Sequence, residues 1–184
     1  MDNSEQLRMT VYASLLAALT AAGAYLIIPI GPVPISLQTL FVYLTGLLLG
    51  SQWGAVSVGV YLLAGACGLP VFAGGTGGIG RLAGPTGGYL FGYLAAVYVI
   101  GLMTEKAGRR WIIDVIAMTV ATLIVYAAGV AWLKTVTGMT FSRAATVGML
   151  PFLVGDGLKI LAAGAIARAV RPLLHPRQVG AETR

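Results

Sequence analysis

The chain has 184 residues, of which 58% are hydrophobic and only 10% charged, with a formal net charge of +6. Soluble domains carry about 25% charged residues, so this composition excludes a water-soluble globular domain. The single cysteine, Cys67, lies in an apolar run and excludes a disulfide framework or a thiol metal site. No basic stripe interleaved with aromatic residues exists, so the positive balance is read as membrane topology and no nucleic acid is expected as a partner.

Charge is distributed in blocks. No Asp, Glu, Lys, Arg or His occurs between Arg8 and Arg81, and further clean runs cover Leu82 to Thr104 and Val115 to Leu133. One spanning helix needs about 20 apolar residues, so the first run is long enough for three. The first span is expected from about Met9 to Ile28, ending at Pro29-Ile30-Gly31-Pro32-Val33-Pro34, where three prolines stop a helix. The second runs from about Ser36 to Gly50, the third from about Ala55 to Leu69, with a tight connection between them at Gly50 to Gly54. A Gly-rich connection, Gly68 to Gly88, leads to a fourth span from Tyr89 to Thr104. The fifth span covers Trp111 to Leu133, followed by a polar loop from Lys134 to Arg143. The sixth runs from Pro151 to Val170, with Pro151 suited to a first helical turn. A loose polar tail is expected from Arg171 to Arg184, the whole chain forming a single all-α membrane domain of about six transmembrane helices.

With the N-terminus inside, Arg8, Lys106, Arg109, Arg110, Arg168, Arg171, Arg177 and Arg184 face the cytoplasm, while Arg81, Lys134 and Arg143 face out. This asymmetry places both termini in the cytoplasm and the Pro-rich and Gly-rich connections on the outer side of the membrane.

Asp156 and Lys159 are ionisable residues within the sixth span. Three positions apart, they share one helix face near its outer end. A charge in a bilayer helix costs about 2.5–3.5 kcal/mol on insertion scales, so the two either neutralise each other or line a pocket, and a ligand between them would satisfy both readings. Arg81 closes the Gly74 to Gly80 segment and is either a solvated loop arginine or a carboxylate receptor, since a guanidinium grips a carboxylate through two parallel hydrogen bonds. The same segment matches a dinucleotide fingerprint at Gly75, Gly77 and Gly80, but no strand precedes it and no acidic residue follows until Glu105. None of Lys106, Lys134 and Lys159 has the glycine of a Walker loop before it, and the only histidine, His175, lies in the tail. Enzymatic chemistry, cofactors and metal ions are therefore not expected. Ala13, Ala17 and Ala21 recur every fourth residue beside Ala18 and Ala22, a stripe that permits close helix approach within the chain or to a membrane partner.

Four segments carry a resemblance: Gly31-Pro32-Val33-Pro34-Ile35-Ser36-Leu37-Gln38-Thr39, Gly68-Leu69-Pro70-Val71-Phe72-Ala73-Gly74-Gly75, Gly84-Pro85-Thr86-Gly87-Gly88-Tyr89 and Leu150-Pro151-Phe152-Leu153-Val154-Gly155-Asp156-Gly157-Leu158-Lys159. In this order, over Val11 to Arg168, the chain resembles the BioY family, the biotin-specific substrate-binding (S) components of energy-coupling factor transporters. The resemblance implies a six-helix S-component fold, high-affinity biotin binding near the outer surface under the outer loops, and a transmembrane coupling (T) protein with a pair of ATPases as partners. It maps the family's Asp-x-x-Lys pair onto Asp156 and Lys159, places Arg81 by loop position, and implies docking through Ala13 and Ala17. Biotin offers two ureido N–H donors, a carbonyl, an apolar thioether ring and a carboxylate. Asp156 is expected to accept from the ureido N–H groups, Lys159 to donate to its carbonyl or balance Asp156, Arg81 or a loop hydroxyl to hold the carboxylate, and Tyr43, Phe72 and Tyr89 to pack the ring. Membrane lipid surrounds the spans on this reading, and a homo-oligomer is an alternative assembly. The rival functions are an S component for another vitamin and a ligand-free membrane scaffold.

Overall fold

The computed structural model describes residues 3–29 and 31–174; His175, Arg177 and Arg184 of the expected tail lie outside them. The elements in chain order are α1 (Asn3–Gly23), β1 (Ile27–Ile28), β2 (Ile35–Ser36), α2 (Gln38–Ala66), α3 (Ile79–Ala83), α4 (Gly87–Ala107), α5 (Trp111–Thr137), α6 (Phe141–Gly148), a 3-10 turn (Leu150–Phe152) and α7 (Leu153–Leu174). Four stretches, Gln38–Ala66, Gly87–Ala107, Trp111–Thr137 and Phe141–Leu174, are long and apolar enough to cross a membrane. Large apolar side chains such as Leu15, Leu63, Phe91, Leu123 and Leu158 lie exposed on the outside. Among the described residues, every buried side-chain nitrogen or oxygen has a hydrogen-bond partner. An apolar exterior over internally satisfied polar groups is what hydrocarbon demands of a protein, and the chain is a membrane protein.

One of the four stretches contributes two rods to the bundle. Inside α2, Gly50 has φ 81° and ψ −170°, a region that is essentially glycine-only. In a continuous helix Gln38 and Tyr61 would stand about 34 Å apart at 1.5 Å per residue. Instead the Gln38 amide donates to the Tyr61 hydroxyl, so residues 38–49 and 51–66 are antiparallel arms. With α1, α4, α5 and α7 they make six helices. The reversal exposes orphan backbone groups on both sides, and charged residues meet them. Arg171 Nε and Nη2 donate to the Leu47 carbonyl at 3.3 and 3.2 Å. The Glu105 carboxylate accepts from the Ser51 N–H at 2.7 Å and the Ser51 hydroxyl at 2.8 Å, an anion at a helix N-terminus, where the peptide dipoles favour it.

Several boundaries differ from the sequence reading. The first helix starts at Asn3 and ends at Gly23. Ile27 and Ile28, assigned above to the end of the first span, and Ser36, assigned to the start of the second, form with Ile35 a small antiparallel hairpin instead, Ile27 opposite Ser36 and Ile28 opposite Ile35. Branched isoleucines suit a strand, and the Leu37 N–H closes the connection onto the carbonyls of Gly23 and Leu26. The polar loop expected from Lys134 to Arg143 is shorter. α5 continues to Thr137, where Gly138 takes a left-handed C-terminal position, and α6 begins at Phe141 with Thr140 as its N-cap. The tail expected to be loose from Arg171 is helical to Leu174, because Arg171 is anchored to both Asp114 and Leu47.

A side chain at position 50 would bring its Cβ within 2.1 Å of Glu105 Oε1 as well as occupying a forbidden backbone region. Gly50→Ala is expected to cost at least about 1–3 kcal/mol, read as a lowered thermal unfolding midpoint of the detergent-solubilised protein, with an unchanged midpoint as the contrary result.

Candidate functional site

The first two turns of α7 follow the 3-10 turn containing Pro151 and deliver Asp156 and Lys159 to the interior, where they are 4% and 9% exposed. Lys159 Nζ donates to Asp156 Oδ1 at 2.8 Å and to Thr39 Oγ1 at 2.9 Å. The Tyr126 hydroxyl donates to Asp156 Oδ2 at 2.6 Å, and Thr39 Oγ1 lies a long 3.4 Å from Oδ1. Thr39 comes from the start of α2 and Tyr126 from α5, so one ion pair joins three helices. Hydrogen bonds to charged groups contribute about 1.5–3 kcal/mol each, which offsets the desolvation of two charges that would otherwise make the pair unfavourable.

Around this pair is a pocket whose wall also includes Ser36, Gln38, Phe72, Thr76, Arg81, Thr86, Tyr89, Tyr93 and Phe152. The space open to the centre of a water molecule is about 50 Å3, against about 10–15 Å3 for a single water, so the interior has room for more than one. Ser36 Oγ donates to Gln38 Oε1 at 2.9 Å, and the Gln38 amide in turn reaches Tyr61. This second polar chain runs along the side of the pocket formed by the hairpin.

The Gly-rich connection covers the pocket as an ordered loop. Phe72 and Thr76 exchange backbone hydrogen bonds at 2.8 and 3.2 Å, and Gly74 N–H donates to the Ala24 carbonyl at 3.0 Å. The Tyr25 hydroxyl donates to the Pro70 carbonyl at 2.5 Å. The Phe72 ring drops between Tyr61, edge to face at 5.6 Å, and Gly65. A Cβ on Gly65 would lie 2.1 Å from that ring, so glycine there is what lets the loop seat its aromatic plug.

Of the residues singled out from sequence, Asp156, Lys159, Arg81, Phe72 and Tyr89 come together on this one wall. Tyr89 also donates to the Gly148 carbonyl at 2.7 Å, linking α4 to α6. Arg81 is exposed on α3 at the mouth, and none of the hydrogen bonds or ion pairs of the described residues engages its guanidinium. Tyr43 is not on the wall. One turn beyond Thr39 it is fully buried, and its hydroxyl shares a 2.6 Å hydrogen bond with Thr122. Ala13 and Ala17 are turned inward, at 4% and 7% exposure, with the Ala13 carbonyl accepting from Ser57 at 2.7 Å. They pack within the chain and are not a free docking face, whereas Ser14, Ala18 and Ala22 of α1 are exposed. Sequence reasoning left Thr39, Gln38, Ser36 and Tyr126 without roles. The first three stand as polar residues at the head of an apolar run, a readable signal, whereas Tyr126 lies within a charge-free run where nothing distinguishes it.

Fold and site together define a membrane-embedded helical binding protein with a polar, loop-covered pocket. The BioY family model matches residues 1–176. The "Biotin transporter BioY" of Thermotoga maritima is 42% identical over 169 residues, 91% of this chain and 98% of that protein. The "Probable biotin transporter BioY" of Pyrococcus horikoshii is 40% identical over 86% of this chain and 93% of its own length. Among solved structures, the S-component for biotin from an ECF-type ABC transporter, a crystal structure at 2.1 Å, superposes with a TM-score of 0.88 at 31% identity, covering 93% of this chain and 94% of that one. The chain belongs to the BioY family.

Removing one partner of a buried pair leaves the other charge uncompensated, which costs about 3–5 kcal/mol. Lys159→Ala is therefore expected to destabilise the protein more than the double variant Asp156→Ala/Lys159→Ala, measured as thermal midpoints in detergent. Equal loss in both would show that the pair is not coupled.

Proposed function

We propose that this chain captures biotin at the outer face of a prokaryotic plasma membrane and serves as the S component of an energy-coupling factor transporter. The observation that carries the reading is the buried Asp156–Lys159 pair beside a pocket whose mouth holds an exposed, unpaired Arg81. The pair sums to zero, so the pocket as a whole has one uncompensated positive charge, which complements a monoanion. A ureido ring, with two donors and one acceptor, matches a carboxylate beside an ammonium. Asp156 accepts from the ureido N–H groups, Lys159 donates to the carbonyl through the N–H that Thr39 and Asp156 leave free, and Arg81 holds the carboxylate of the tail. Phe72 and Tyr89 supply apolar surface for the thioether ring, a role Tyr43 supports only from behind.

Orientation follows from the described cations. Arg8, Lys106, Arg109, Arg110, Arg168 and Arg171 belong to the end remote from the pocket, and Arg81, Lys134 and Arg143 to the pocket end. This bias supports an orientation with both termini in the cytoplasm and the pocket outward. A transmembrane coupling protein and an ATPase pair are the partners, with the outward face of α1, including Ser14, Ala18 and Ala22, as the available contact.

Titration of purified protein with biotin and with its carboxamide tests the assignments separately. Asp156→Asn is expected to weaken biotin binding roughly tenfold or more, from the loss of about 1.5–3 kcal/mol. Wild type is expected to prefer biotin over the amide and Arg81→Gln to lose that preference. Unchanged affinity in Asp156→Asn, or tighter binding of another vitamin by wild type, would overturn the reading.

A further inference from the structure

We infer that the ion pair between Asp114 and Arg171, at the far end of the bundle, is a positioning element that sets the geometry of the ligand pocket through α7. Arg171 Nη1 and Nη2 grip Asp114 Oδ2 and Oδ1 at 2.6 and 2.9 Å, and its Nε and Nη2 also reach the Leu47 carbonyl. Asp114 is 2% exposed. In α7 Arg171 lies 15 residues from Asp156, about 22 Å along the axis at 1.5 Å per residue, so it cannot touch anything in the pocket.

Both ends of α7 are fastened to the same two helices. At the pocket end Asp156 and Lys159 hold Thr39 of α2 and Tyr126 of α5. At the far end Arg171 holds Leu47 of α2 and Asp114 of α5. α2 and α5 are also the long helices against which α7 packs, and its other side shows Val154, Leu158, Leu161 and Ile166 to the exterior. Between the fastenings its buried residues are Ile160, Ala163, Gly164 and Ala167. Three of these four are small, so they give little interdigitation to fix the helix along its axis apart from the Trp111 ring over Gly164, midway between the fastenings. Buried polar and ionic groups are best attested as devices that fix register. A bidentate arginine is the side chain most suited to that task, because its planar fork accepts only one alignment. With the far clamp released, α7 is free to slide or tilt, and Asp156 and Lys159 move relative to Thr39 and Tyr126.

The test rests on the proposed biotin reading for one of its measurements and is independent of it in the other. Full-length protein is labelled with 3-fluorotyrosine, the Tyr126 resonance assigned by Tyr126→Phe, and biotin affinity and thermal midpoint measured on the same samples. Asp114→Asn is expected to shift or broaden the Tyr126 resonance without ligand and to weaken biotin binding by roughly 5- to 150-fold, the usual range for coupling between separate sites. Arg171→Lys, which keeps the charge but loses the fork, is expected to change both in the same direction and by less, and decides the matter if Asp114→Asn is not recovered folded. A lowered midpoint with an unmoved Tyr126 resonance and wild-type affinity would make the pair a stabilising contact only and overturn the inference. If wild type fails to bind biotin the functional reading fails, and the Tyr126 resonance still decides this one.

Discussion

An aspartate and a lysine held against each other inside a lipid-embedded bundle are the constraint around which the rest of this structure is arranged. Neither charge is tolerable alone in that setting, and even paired they must be hydrogen-bonded on their remaining sides. Asp156 and Lys159 meet that demand by recruiting Tyr126 and Thr39, which requires α5 and the start of α2 to stand next to the first turn of α7. The ammonium retains one N–H and the carboxylate retains lone pairs. The arrangement is therefore stable enough to persist and polar enough to receive a ring of matching donors and acceptors.

Placing Thr39 correctly is the task of the chain reversal. The Pro-rich hairpin starts α2 at the pocket, and Gly50 turns it back before it could span the bundle twice over in one direction. The second arm returns to the pocket with Tyr61 and Gly65, which receive Gln38 and the Phe72 plug. Charges at the far end close the helix termini this creates: Glu105 meets the start of the returning arm, and Arg171 meets the end of the outgoing one. The ionic groups that make these contacts thus fall into two layers, Asp156 and Lys159 beside the pocket and Glu105, Asp114 and Arg171 at the opposite end.

Much of this was legible in the sequence because a bilayer leaves few options. Charge-free runs reported the spans, and a pair of ionisable residues one turn apart within an apolar span pointed to the candidate site. Gly50 was readable as a connection since glycine and polar residues cluster there, although helical dihedrals resume at the very next residue. Other features were hidden for physical reasons. Ile27 and Ile28 look like the end of a span because hydropathy does not distinguish a buried helix from a short apolar strand. The alanine stripe shows that something approaches α1 closely, but spacing alone does not say whether it is a partner or the chain's own α2; Ala13 and Ala17 meet α2. Tyr43 and Tyr126 are both tyrosines in apolar runs, and only the packing of helices far apart in sequence separates the one bonded to Thr122 from the one that holds Asp156. Asp114 and Arg171 sit at the edges of their spans, where charges are ordinarily solvated, and their pairing across 57 positions has no local signal.

The central claim is that the inward-facing pair on α7 is where a polar ring is recognised. Determining the structure of this protein with biotin bound tests it most directly. The account predicts the ureido ring against Asp156 and Lys159 with Tyr126 still on the second carboxylate oxygen, and the carboxylate of the tail toward Arg81. Biotin seated elsewhere, with the Asp156–Lys159 pair untouched and covered by protein alone, would contradict it.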